Sequence, residues 1–326
     1  MAVSKMNFFK NLFVIEKKPV KGLLMMEWAV LAYTALTLIL MLITYTRLYN
    51  PHTMIMLRFQ SVAALIALWA VYRMLPCRFI MLARVMFQLS MLSAWYPDTY
   101  EFNRLLPNLD HHFAAWEQQL FGCQPALLFS QNYPSRFVSE LLTLGYVSYY
   151  PIMVFVLLYY FFYKYEEFFK ASFLVVASFF LFYVIFIFLP VTGPQYYYLA
   201  AGIEQIAQGV FPDVGNYFET HSEALTIPGW PDGVFYKLLV FAHETGERPT
   251  AAFPSSHVGA TLVFLILAWA TKNRKFFWSL IPFAVLMFLA TFYIRAHYAI
   301  DAIAGLFAGT AIYFILLGIY KLCKKS

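Results

Sequence analysis

Eight stretches of the chain, near 23–45, 53–76, 79–97, 138–163, 171–191, 254–271, 276–294 and 298–320, are long and apolar enough to cross about 30 Å of hydrocarbon. An unpaired backbone N–H or C=O in lipid costs several kcal/mol, so a lone segment can cross only as a helix. This predicts an all-α fold, a polytopic membrane helical bundle of about eight transmembrane helices. Composition closes off the other classes. Charged residues make up 12% of the chain, against roughly 25% in soluble proteins. Too little polar surface is left to cover a water-soluble globule. The same arithmetic excludes a disordered chain, and Cys77, Cys123 and Cys323 share no spacing that suggests a metal motif or a disulfide scaffold.

The sparse charge is sorted along the chain. With the N-terminus inside, Lys5, Lys10, Lys17, Lys18, Lys21, Arg73, Arg78, Arg84, Lys164, Lys170, Lys272, Arg274, Lys275, Lys321, Lys324 and Lys325 face one side, 16 of the 23 basic residues. The positive-inside rule then expects eight spans with both termini cytoplasmic. A net charge of +6 would suggest nucleic acid in a soluble chain, but here it encodes topology, and no nucleic-acid partner is expected. The first apolar run is too long for a signal-peptide core and lacks a small-x-small cleavage site, so it reads as an uncleaved span.

The chain divides into five parts. Residues 1–97 form a cytoplasmic tail and three spans, and 98–137 an outer segment with apolar residues near helical spacing, expected to lie along the membrane surface. Residues 138–191 form two spans, 192–253 a breaker-rich outer cap, and 254–326 a final three-span segment. All seven histidines, His52, His111, His112, His221, His243, His257 and His297, fall in outer segments or at their membrane boundary.

Chemistry concentrates in two stretches at span beginnings, Arg248-Pro249-Thr250-Ala251-Ala252-Phe253-Pro254-Ser255-Ser256-His257 and Arg295-Ala296-His297-Tyr298-Ala299-Ile300-Asp301. On a helix, His297 and Asp301 would share a face, and the carboxylate would fix the imidazole tautomer. Free N–H groups at the start of the sixth span suit a phosphate. Either histidine alone reads equally well as an interfacial polar residue. Together, with an ionisable Asp301 inside a span, they point to a metal-independent phosphoryl-transfer centre with no cofactor. Adjacent His111 and His112 face different directions on a helix and do not make a metal pair, so no metal site is expected. Gly305 and Gly309 predict close packing against another span of the bundle.

The two stretches resemble the motifs of the type-2 phosphatidic acid phosphatase / vanadium haloperoxidase superfamily. Pro254-Ser255-Ser256-His257 is similar to its Pro-Ser-Gly-His motif, and His297 to Asp301 to its His-x-x-x-Asp motif. The resemblance implies His297 as nucleophile, Asp301 orienting it, and His257 as general acid and then base. It implies phosphate contacts from Arg248, Arg295, Ser255 and the Ser256 backbone. It also implies a six-helix phosphatase-type core formed by the last six spans, with two extra spans in front. The sequence departs from the pattern at Thr291, where the family has arginine, and at Phe241, where it has lysine; Lys237 or His243 is expected to supply that charge. The Ala-Ala-Phe-Pro-Ser-x-His and His-Tyr-x-x-Asp stretches look most like the branch containing inositol phosphorylceramide synthases.

The expected function is therefore an integral-membrane lipid phosphatase working on the outer face through a phosphohistidine. The alternative is a phosphotransferase moving a phospho-headgroup between lipids; a transporter fits less well, because the polar residues gather at one mouth. The expected partners are a lipid phosphate and the bilayer, and the sequence carries no signal for oligomeric state. Absence of Asn-x-Ser/Thr from the outer segments favours a bacterial inner membrane with the site facing the periplasm.

Overall fold

The computed structural model describes residues 12–325, so Lys5 and Lys10 of the charge pattern lie outside the described residues. The described residues form fourteen α-helices and no strand. In chain order these are α1 (Met25–Ile43), α2 (Pro51–Met74), α3 (Arg78–Asn103), α4 (Asp110–Phe121), α5 (Pro125–Asn132), α6 (Arg136–Val147) and α7 (Tyr149–Tyr163). There follow α8 (Tyr165–Phe188), α9 (Pro194–Ala201), α10 (Ile203–Ala207), α11 (Val234–Gly246), α12 (Ser256–Ala270), α13 (Arg274–Tyr293) and α14 (Ala299–Lys325). The chain is a polytopic helical membrane protein.

Six helices, α1, α2, α3, α8, α13 and α14, are each long and apolar enough to cross a membrane. The remaining two expected spans differ from simple rods. The fourth is broken into α6 and α7, bent by 44°. Pro151 lacks the N–H that would bond to Val147, and its ring clashes with that carbonyl, so the helix breaks between them. Ser148 Oγ donates to the Gly145 carbonyl at 2.6 Å, satisfying an acceptor at the break. The sixth, α12, has only 15 residues, about 22 Å of helix, because the irregular stretch before Ser256 is spent on building the site. The third runs past Pro97 to Asn103, whose side chain donates to the Phe186 carbonyl at 2.6 Å.

Helix α8 is the buried axis of the bundle and packs against α1, α3, α7, α12 and α14. Helices α12 and α14 cross closely because their contact is made of glycines. A Cβ on Gly305 would come 2.5 Å from the Ser255 carbonyl oxygen, and one on Gly309 would come 2.4 Å from that of Gly259. The spacing read as a packing motif thus serves a contact within the bundle.

Two ion pairs are buried among the first three helices. Arg84 donates to both oxygens of Glu27, at 2.9 and 2.6 Å, and Glu27 also accepts from the Leu24 backbone at 2.7 Å. Arg84, counted with the inner-side cations, is therefore a fully buried pairing residue. Arg58 pairs with Asp98 and donates to Thr37.

The cap carries α9, α10 and α11. It is pinned to the spans by Tyr100, whose hydroxyl donates to the Phe218 carbonyl at 2.9 Å, and by Tyr49, which donates to that of Glu219 at 2.8 Å. Glu140 on α6 accepts from the first-turn N–H groups of Phe235 and Tyr236 on α11, at 3.2 and 3.1 Å.

Candidate active site

The two motif stretches meet where α12 and α14 begin. Ser255 caps α12, its Oγ accepting from the Val258 N–H at 3.4 Å, and its own N–H donates to the Asp301 carbonyl at 3.0 Å. His257 lies in the first turn of α12, and His297 in the loop just before α14. Their rings meet: His297 Nε2 is 3.4 Å from His257 Nδ1.

His297 is oriented differently from the sequence expectation. Its Nδ1–H donates to the Ala252 carbonyl at 2.7 Å, whereas Asp301 Oδ2 lies 3.8 Å away. The reason is local. Helix α14 starts at Ala299, so His297 precedes it and the four-residue helical spacing does not hold. Asp301 Oδ2 instead accepts from the Tyr298 N–H at 2.8 Å. The Ala252 bond keeps the proton on Nδ1 and leaves the Nε2 lone pair facing His257.

The loop geometry that achieves this is strained. Ala251 and Arg295 adopt φ of 69° and 65°, a region that costs side-chain-bearing residues about 1–3 kcal/mol. Opposite them, Gly193 has φ of 90°, and a Cβ there would come 2.6 Å from the Ala296 carbonyl oxygen. Only glycine lets these segments approach so closely.

Behind the loop stands Asp110, fully buried at the start of α4. Its Oδ2 accepts from the Thr192 N–H at 2.7 Å, the Thr192 hydroxyl at 3.0 Å and the Asn108 amide at 2.6 Å. Its Oδ1 accepts from the Gly193 N–H at 2.8 Å and the Tyr298 hydroxyl at 3.0 Å. Burial pushes this carboxyl up from the usual range, and the surrounding donors pull it back. Glu117, also on α4, accepts from the Ile300 N–H at 3.2 Å, and burial pushes it up to about 8. Burial likewise pushes His297 down to about 4, with the Ala252 bond and nearby Glu247 opposing the shift. At neutral pH the ring is an uncharged imidazole.

A narrow space of about 10 Å³, room for one water molecule, lies beside the histidine pair. His257, His297 and Ser256 line it, together with Tyr96, Tyr146 and Glu247. Gln195, Thr192 and Thr250 complete its polar wall. Neither expected arginine lines it. Arg248 is exposed and donates to the Glu247 backbone carbonyl at 2.8 Å. Arg295 is half-buried; burial lowers the pKa of its guanidinium, and Tyr198 opposes this. Lys237 is exposed on α11, while His243 sits near the site, its ring 6.1 Å from that of Tyr146 and its pKa lowered by burial. A larger apolar groove, between α1, α8 and α14, carries no acid, base or histidine in its lining and lies apart from this chemistry.

Sequence reasoning missed Tyr96, Tyr146, Gln195, Glu247 and Asp110. Glu247 stands immediately before the half-matched Arg248-Pro249, and Asp110 immediately before the paired histidines, so both had neighbours that marked them. The tyrosines are indistinguishable in sequence from membrane-interface tyrosines, and Gln195 carried no signal.

Fold and site together define a helical membrane protein with two histidines in contact at the mouth of a small polar cavity. A family model described as the PAP2 superfamily matches residues 111–315, more than half the chain. The chain belongs to this superfamily, the type-2 phosphatidic acid phosphatases and their relatives. The match takes in both motif stretches and leaves α1, α2 and α3 outside it. No curated protein and no solved structure matches the chain. Superfamily membership supports an enzyme of phosphatase or phosphotransferase type.

Proposed function

We propose that this protein is a membrane lipid phosphatase that cleaves the phosphoester bond of a lipid through a phosphohistidine at His297, on the outer face of the membrane. The observation that carries the reading is the pair of imidazoles in contact, with His297 Nδ1 committed to the Ala252 carbonyl and Nε2 left with its lone pair. Nε2 attacks phosphorus, and the bond from phosphorus to the lipid oxygen breaks. The bound anion holds a proton on His257, which passes it to the departing oxygen. Water then attacks phosphorus and gives a proton to His257. The N–P bond breaks, freeing His297. The N–H groups of Ser256 and His257, ahead of the capped Val258 N–H, favour the negative oxygens. Arg248 and Arg295 assist if their side chains turn toward the cavity.

A second reading replaces water with a lipid alcohol, making the enzyme a phosphotransferase. It is favoured by the cavity wall, which includes a carboxylate and no lysine or arginine, a poor receptacle for free inorganic phosphate.

The test uses purified protein in liposomes with a lipid carrying labelled phosphate. Turnover and acid-labile label on the protein should both vanish in His297→Ala. His257→Ala should slow turnover by about 10²–10⁴-fold. Turnover that survives His297→Ala unchanged overturns the assignment.

A further inference from the structure

Residues 14–18 run beside the turn between α2 and α3. Ile15 pairs with Cys77 across that turn, and the Glu16 N–H donates to the Pro76 carbonyl at 2.7 Å. Both Glu16 side-chain oxygens are occupied. One accepts from the Tyr165 hydroxyl and the other from that of Tyr72, each at 2.6 Å. These bonds fasten the segment to α2 and α8 and leave a cavity of about 390 Å³. Lys17, Lys18 and Arg78 line it.

Three cations thus share one space, and among the described residues none of them forms an ion pair. Glu16 also lines it, but one negative charge against three leaves the lining positive. Crowding like charges costs free energy that a bound anion would recover. The Arg78 guanidinium lies over the Tyr165 ring, 4.3 Å from its centroid. Stacking uses the guanidinium face and leaves its N–H edge free to grip two phosphate oxygens.

The surroundings decide which kind of anion fits. Val14 and Ile15 line the same cavity and are exposed, as are Phe13, Met74, Leu75 and Phe79 on the adjoining segments. The Phe13 and Phe79 rings lie 5.0 Å apart, so the two segments present a joint apolar surface. A soluble anion would gain nothing from that surface, whereas acyl chains would cover it. Depth agrees. Tyr165 opens α8, whose 24 residues span about 36 Å. Beyond the other end of α8, Gly193 packs against Ala296 in the His297 loop. The cavity therefore stands about one membrane thickness from the histidines, at the headgroup level of the opposite leaflet.

We infer that this cavity binds the phosphate of an anionic phospholipid in the leaflet opposite the histidines, gripped by Lys17, Lys18 and Arg78, with the apolar rim against its acyl chains. No bond is made or broken there. The bound lipid ties the N-terminal segment and α3 to α8, joining helices outside the superfamily match to one within it. The inference is independent of the chemistry at His297.

The experiment is native mass spectrometry of the full-length protein in detergent. It is titrated with dioleoyl phosphatidylglycerol, with dioleoyl phosphatidylcholine and with glycerol 3-phosphate. Phosphatidylglycerol should bind at least about ten-fold more tightly than either of the others. Lys17→Gln, Lys18→Gln and Arg78→Gln together should weaken it about 100-fold, roughly five-fold for each charge. Lys17→Arg with Lys18→Arg keeps the charge and should keep the binding, which separates loss of charge from loss of fold. Lys272→Gln, Arg274→Gln and Lys275→Gln, in the loop between α12 and α13, should have little effect. Equal affinity for phosphatidylcholine or for glycerol 3-phosphate overturns the inference, as does an equal loss in this second triple variant. Phosphatidylglycerol binding that survives the first triple variant also overturns it, because the lipid then sits elsewhere, the histidine site included.

Discussion

The hydroxyl of Tyr298 donates to Asp110 Oδ1 at 3.0 Å, joining residues 188 positions apart. The same carboxylate holds Thr192 and Gly193, so one buried acid fixes the loop carrying His297 against the segment that faces it.

Asp110→Asn replaces an acceptor by a group that is half donor, surrounded by five donors. It should destabilise the protein by roughly 2–4 kcal/mol and lower kcat, because Tyr298 adjoins His297. Tyr298→Phe removes one bond and should cost about 1 kcal/mol. Thermal unfolding in detergent, with activity measured alongside, checks the ranking; equal effects would contradict it.

Burial holds the folded pKa of His297 at about 4, below the ordinary value of 6.5. The unfolded chain therefore binds a proton that the folded one does not as pH falls below 6.5. The stability contributed by the neutral ring is complete above 6.5 and is lost progressively down to about 4. His297→Gln should flatten this part of the stability profile. In wild type, the acid limb of kcat/KM assigned to His297 should lie near 4 rather than near 6.5.

Glu117 has the opposite sign. Its folded pKa, about 8, stands above the ordinary 4.5, so its contribution is complete below 4.5 and is lost as pH rises through 8. Glu117→Gln keeps an acceptor for the Ile300 N–H and should leave the protein more stable than wild type at pH 9. A denaturation series from pH 6 to 9 measures the difference.

A methyl group at Gly309 would sit 2.4 Å from the Gly259 carbonyl oxygen, and one at Gly305 would sit 2.5 Å from that of Ser255. Gly309→Ala should force α12 and α14 apart, costing about 1–3 kcal/mol. Gly305→Ala should add a larger loss of activity, because Ser255 caps the helix that carries His257. Similar activity losses for the two variants would contradict this division.

For the buried Arg84–Glu27 pair, removing one partner strands a charge. Glu27→Ala should cost about 3–5 kcal/mol, while Glu27→Met with Arg84→Met should cost much less. A double-mutant cycle on unfolding measures the coupling.

The bundle was legible in the sequence because lipid allows a crossing backbone few alternatives, so long apolar runs translate directly into helices. The break at Ser148 was not read: 138–163 was expected as one continuous span, although Pro151 three residues later carries the signal. His257 and His297 could be found because each sits in a short local motif. What was not legible is set by the fold over long separations. Tyr96 meets Glu247 across 151 residues, and no periodicity records such a meeting. The Asp301 contact misled because helical spacing was applied to a residue that precedes the helix. Ala252, whose side chain carries no chemistry, orients His297 through its carbonyl, a group every residue type possesses.

The 15 residues of α12 reach about 22 Å, some 8 Å short of a typical hydrocarbon core. A lipid would then not have to be lifted out of the leaflet to meet His257; its phosphate would sink toward the acyl chains. Bilayer thickness would thereby become a kinetic variable, since a thicker leaflet would deepen the descent and a thinner one would let in more water to compete with a lipid alcohol for the phosphorylated histidine.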